Sequence, residues 1–406
     1  MDTLRHAVFL ERASESGGAP GPASAAFLAL RMVDLLALEV PATGEDAFET
    51  ARGAVAALVA ELEPSTEALC LSGLTGAARA APADRFRAEL IRALRVYAIN
   101  RRDAERHDEA VDVIETAARL VPSQAGMIGD LGRHLLLAGR LDELAARCEE
   151  WVRDASVYVR REGRYLRAEV ALARGGAAEA EREFRDLVER REGVDDDPVS
   201  RAARHAVPRA LLARGLVAEA VVAAWKVEAG APGDALAVVA EGLERLGHLD
   251  AAADAVGSAA LGHPQAAVRW DALAALVRLE ARQGDRMTFE RWVQVGRECH
   301  NTGLPAPGHE VGFWLEAARG LAELGEPKAA ARAIGMAGEV VAAVPGEEAR
   351  FRVRRVAAAI AEGAPADYGP PVGVPAGLEG AVAEVVAGVR VYGPAREWAD
   401  LARRNR

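Results

Sequence analysis

Several short constellations in this 406-residue chain carry residue types that chemistry uses, and spacing decides what each can do. Cys299 and His300 are neighbours, and a thiol beside an imidazole is the beginning of a nucleophilic pair. Adjacency along the chain does not supply the spatial partner and electropositive site that such a thiol needs. His309-Glu310 opens like the H-E-x-x-H zinc helix, but the second histidine is missing, so a polar pair at a helix start is expected. The acidic run EGVDDD, Glu192 to Asp197, lacks the alternating oxygen ligands and closing bidentate Glu of an EF-hand. A solvated loop is expected there, with Asp197 or Ser200 available to cap the next helix. Cys70, Cys148 and Cys299 are widely spaced and odd in number, which gives neither a disulfide framework nor a zinc pattern. Phosphate loops, dinucleotide-binding glycine fingerprints and nucleophile elbows are missing from the sequence. No catalytic residue, metal site or cofactor is expected, and the chain is not expected to be an enzyme.

The charge balance narrows the partners. With 61 acidic against 50 basic residues the formal net charge is -11, which argues against a general nucleic-acid or anionic-membrane binder. No run of about 18 apolar residues escapes interruption by charge. Met1–Ser16 carries charges around a short apolar patch and lacks a signal-peptide core, so a cytoplasmic protein with reduced thiols is expected. Half the residues are hydrophobic and only 5% are aromatic, so Ala and Leu supply the apolar surface, a composition suited to closely packed helices. Lys226 and Lys328 are the only lysines. The arginine bias matches a GC-rich bacterial genome and is partly background.

The elements that must position any site announce themselves as a repeat. In HDEAVDVIETAARLVP, His107 to Pro122, the residues Ala110, Ile114 and Ala117 share one helical face. The same small, large, apolar triplet returns as Leu144/Cys148/Trp151, Ala180/Phe184/Leu187, Ala220/Ala224/Val227, Ala252/Val256/Ala259, Phe289/Val293/Gly296 and Ala330/Ile334/Ala337. Five residues before each of these recurrences stands a glycine: Gly139, Gly175, Gly215, Gly247, Gly284 and Gly325. Glycine enters the left-handed conformation cheaply, so each is expected to end a first helix and turn the chain into a second.

This frame resembles the tetratricopeptide repeat family over roughly residues 85–345, about seven units. Leu131-Gly132 reproduces the family's first-helix pair, and Trp314 stands at its early aromatic position. Pro208 falls inside an expected first helix, and the turn glycines lie 32 to 41 residues apart, both departures from a regular repeat. The resemblance implies an all-α, right-handed superhelical solenoid of antiparallel helix pairs. Outside the repeats, residues 1–21 read as a mobile arm and residues 22–84 as N-terminal helices forming a degenerate unit or cap. Residues 346–406 read as C-terminal capping helices around a Pro/Gly-rich linker, 363–376. Core packing accounts for Trp151 and Trp314, whereas Trp225, Trp270 and Trp292 flank the repeated core positions.

In such a family the first helices line a concave surface. At their ninth position stand Ile99, Arg133, Glu169, Arg209, Glu241, Arg278 and Arg319. With Arg92, Arg95 and His205 they make a discontinuous basic row whose planar guanidinium forks suit carboxylates. Two explanations stay open: a peptide-binding groove, or helix-forming arginines paired with nearby glutamates. The family's carboxylate clamp combines Lys and Arg with Asn, and asparagine is nearly missing here, so the clamp is not carried over.

The expected function is that of a non-enzymatic interaction scaffold binding a protein or peptide, an acidic or C-terminal segment included. A ligand-responsive receptor controlling an effector protein is the alternative. The sequence leaves the oligomeric state open.

Overall fold

In the computed structural model the described residues are 95, 98, 99, 101, 102 and 106–389, apart from 121–124, 191–197, 229–233, 261–265, 305, 345–346 and 365–369. The arm at 1–21, the helices assigned to 22–84, Arg92, the run EGVDDD and the segment Pro394–Arg403 therefore lie outside them. Every regular element among the described residues is helical. In chain order they are α1 (His107–Leu120), α2 (Ala125–Leu137), α3 (Leu141–Trp151), α4 (Val157–Ala173), α5 (Ala177–Glu189), α6 (Pro198–Ala213), α7 (Val217–Glu228) and α8 (Asp234–Arg245). There follow α9 (Leu249–Ala260), α10 (Ala266–Gln283), α11 (Arg286–Asn301), α12 (Pro307–Glu323), α13 (Pro327–Val340), a 3-10 turn at Val341–Ala343, α14 (Glu348–Ala361) and α15 (Glu379–Val389).

Two compact units divide the chain at Arg140 and Leu141. In the first, α1 packs against α2. Ala110, Ile114 and Ala117 of α1 are fully buried, as their shared face requires. His134 on α2 is buried too, and burial, aided by the Arg102 charge, lowers its pKa to about 4.

From α3 to α14 in the second unit each helix packs against the next, and alternate helices touch where successive hairpins stack, as α4 does on α6 and α10 on α12. The turn glycines explain the repetition. All six expected positions have positive φ, from +70° at Gly139 to +85° at Gly175. The amide after each glycine closes the helix end, as Gly176 N does on the Ala171 carbonyl at 2.8 Å and Glu326 N on the Leu321 carbonyl, also at 2.8 Å. Gly363 closes α14 the same way at φ +68°, although the described residues that follow, 370–378, are not helical.

The recurring triplets supply the spine: Leu144, Cys148, Ala180, Phe184, Leu187, Ala220, Ala224, Ala252, Phe289, Ala330 and Ala337 are fully buried. Small residues bring helices together. A β-carbon at Gly296 on α11 would lie 2.1 Å from the Phe313 ring of α12, a distance no side chain tolerates. Pro208 does not interrupt α6, which runs through it with the ring buried.

One connection is not between neighbours. After α14 the chain returns to the middle of the unit, where α15 packs on α7 and α9. Val382, Val385 and Val389 are buried there, and Gly388 is so close to the Trp225 indole that a β-carbon would clash at 2.3 Å. Upstream of α15, the Val372 amide donates to the Arg245 carbonyl at 2.7 Å, beside the turn at Gly247.

Candidate functional site

The first helices of the second unit are α4, α6, α8, α10 and α12, and they carry Glu169, Arg209, Glu241, Arg278 and Arg319 of the predicted row. Each arginine is held by a carboxylate. Arg209 makes a fork on Glu169, with bonds of 3.2 and 2.9 Å, and the Tyr165 hydroxyl donates to the same carboxylate at 2.8 Å. Arg278 makes a second fork on Glu244 of α8 at 3.0 and 2.8 Å, where Arg282 adds a bond of 2.8 Å. Arg319 bonds Glu316 on its own helix at 2.5 Å, and Glu241 accepts from Arg245 at 2.5 Å.

In the first unit, Arg95 and Arg133 share Asp130 at 2.6 and 2.8 Å. Ile99 is exposed. His205, one helical turn before Arg209, is half-buried, and its Nδ1 is buried without a hydrogen-bond partner.

The row is therefore a series of charge-assisted pairs, two of them forks spanning from one helix pair to the next, rather than a wall of bare cations. The electrostatics agree. Burial pushes the Glu244 carboxyl up, but the hydrogen bonds and charges of Arg278 and Arg282 outweigh it and hold the pKa below the ordinary range. The Arg209 guanidinium is pushed down by burial, and the Glu169 charge and hydrogen bonds more than restore it. The Arg209 and Arg133 side chains are 48% and 55% exposed. A carboxylate arriving from solvent would compete with one already in place.

Glutamate pairing is one of the two explanations open in the sequence, and Glu169 stands in the row itself, whereas Glu244 was not singled out as a partner of these arginines. Their signal is a glutamate one repeat upstream, 40 residues before Arg209 and 34 before Arg278. A neighbouring network, Arg164 with Glu183 at 2.6 Å and with Asp186, was likewise missed.

The two constellations weighed for chemistry meet in space. His300 Nδ1 lies 2.6 Å from Glu310 Oε1, and the Trp314 indole donates to the same oxygen at 3.1 Å. Glu310 is buried, while His309 turns outward to Asp271 at 2.7 Å. The Cys299 side chain packs against the apolar core. Cys148 is fully buried, and burial raises its pKa to about 12, so it stays a neutral thiol at neutral pH. Among the described residues no group of three or more His, Cys, Asp or Glu is arranged to hold a metal ion. No described helix is long and apolar enough to cross a membrane. Trp270, Trp292 and Trp314 are all buried core residues, whereas Trp225 is half-buried against α15.

Comparison with protein-family models and with characterised proteins finds no match to this chain.

Proposed function

We propose that the chain is a tetratricopeptide-like, right-handed solenoid that works by binding a protein partner, with the first helices of the second unit as the contact surface. The observation that carries this is the series of partly exposed guanidinium groups on α6, α10 and α12, each bonded to a carboxylate. Oriented forks lose less freedom on binding than solvated arginines, which favours recognition of an acidic or C-terminal peptide segment. Stacked hairpins also offer a long surface without enclosing a reaction site. A cytoplasmic scaffold or adaptor fits these features.

The test uses a partner first identified by cross-linking in the native extract and then purified. Arg278→Gln combined with Arg319→Gln is expected to weaken its affinity about tenfold and to flatten the salt dependence, with the helical circular dichroism unchanged. Glu244 keeps Arg282 in that variant, whereas Glu316, 16% exposed, loses its bond from Arg319. Unchanged affinity in the folded variant would remove the arginine surface from the account.

A regulatory receptor is the second reading. It is favoured by the return of α15 to α7 and α9, because a segment packed on distant repeats would feel any change in their spacing.

A further inference from the structure

A separate feature shares no residue with the arginine row and stands whatever binds there. Residues of α5, α6 and α7 frame a pocket of about 190 Å³. Small-molecule sites usually span roughly 300–1,000 Å³, so this one has room for about a single amino-acid residue. Its apolar lining is aliphatic: Val188, Val207, Pro208, Ala223 and Val227. No hydroxyl or amide side chain lines it to reward a polar occupant.

The mouth holds opposite charges that do not join. Arg204 and Glu189 both line the pocket and both are exposed, yet neither makes an ion pair or a side-chain hydrogen bond among the described residues. The other cation of the lining, Arg185, is already bonded to Glu181 at 2.8 Å.

We propose that this pocket binds a free branched aliphatic α-amino acid as its zwitterion. The carboxylate pairs with the Arg204 guanidinium, the ammonium group pairs with Glu189, and the aliphatic side chain enters between Val207, Pro208 and Val227. The two charges choose the ligand. A simple carboxylate leaves Glu189 facing a like charge, an amine leaves Arg204 unmatched, and a peptide C-terminus brings no ammonium group.

Calorimetric titration of the full chain with L-leucine, N-acetyl-L-leucine, L-leucinamide and 4-methylpentanoate tests the assignment. Leucine is expected to bind with a Kd below about 10 mM, and each analogue lacking one charge to bind about tenfold more weakly. Arg204→Gln, an exposed change that disturbs no packing, should weaken leucine by a similar factor. Glu189→Gln should erase the difference between leucine and its N-acetyl derivative. Ala223→Leu should fill the pocket and abolish binding, with circular dichroism confirming the fold. Equal binding of leucine and N-acetyl-leucine by the unaltered chain, undetectable binding of leucine, or leucine binding indifferent to Arg204→Gln would each overturn the proposal.

Discussion

Two stretches of the second unit build the same hairpin in different ways. Around α4, α5 and α6 the apolar core is modest, with Phe184 its largest member, and polar side chains are buried beside it. Arg161 is fully buried and bonds the Leu187 carbonyl at 2.9 Å, the Arg190 carbonyl at 2.5 Å and the Ser200 hydroxyl at 2.8 Å. It thereby satisfies the carbonyls at the end of α5, and through Ser200 it ties them to the beginning of α6. From α10 to α12 aromatic rings fill the interior. Trp270, Phe289, Trp292, Phe313 and Trp314 are all buried, with Phe313 and Trp314 edge to face at 4.9 Å between centroids. Hairpin geometry is set by the turn glycine and the small residues, and either rings or a buried guanidinium can then fill the interior. Rings contribute through buried area, whereas the guanidinium contributes mainly through the cost of leaving its partners unsatisfied.

The largest effect is expected where a ring is lost. Trp292→Ala should lower unfolding stability by about 4 kcal/mol in denaturant titrations, through lost transfer energy and the cavity left behind. A loss below about 1 kcal/mol would deny the aromatic core its role. Next comes Arg161→Met, which nearly keeps volume but takes the guanidinium from the Arg190 carbonyl and leaves the Leu187 carbonyl to the Ser200 hydroxyl at 3.1 Å. A loss of about 3 kcal/mol is expected, and a neutral result would show that water or backbone rearrangement replaces the guanidinium.

The smallest effect depends on pH. Glu280 on α10 is buried, and burial, with the charges of Asp285, Asp250 and Asp254, raises its pKa to about 7 from an ordinary 4.5. The folded state therefore holds this proton more tightly than the unfolded chain. Its contribution is complete below the unfolded pKa and is lost as pH rises through about 7. Glu280→Gln should be close to neutral at pH 4 and stabilising by on the order of 2 kcal/mol at pH 8 relative to the unaltered chain. A variant equally stable with the parent at both pH values would place Glu280 in water.

The hairpin register was legible in the sequence because its signal is local: only glycine is at ease at +φ, and the six expected turns all take that conformation. The helix from His107 was legible for a similar reason, from its periodicity. Other features depend on residues far apart. Nothing near Val382 or Gly388 indicates that α15 will return to Trp225, and Arg161 looks like any other arginine in an arginine-rich chain until its three acceptors are assembled. The arginine row and its pairing with glutamates were legible, but which glutamate serves which arginine was not, because a pair 34 or 40 residues apart becomes adjacent only once the helices stack. Pro208 shows tertiary packing prevailing over propensity, since a proline expected to disturb a helix is accommodated inside it.

Native-state hydrogen exchange along the full chain tests neighbour-by-neighbour stacking most directly. If hairpins are held chiefly by their neighbours, amides of α4–α6 and of α10–α12 will open with different free energies and different denaturant dependence, and Trp292→Ala will lower protection in α10–α12 far more than in α4–α6. A single opening free energy shared by all helices, lowered everywhere alike by Trp292→Ala, would contradict it.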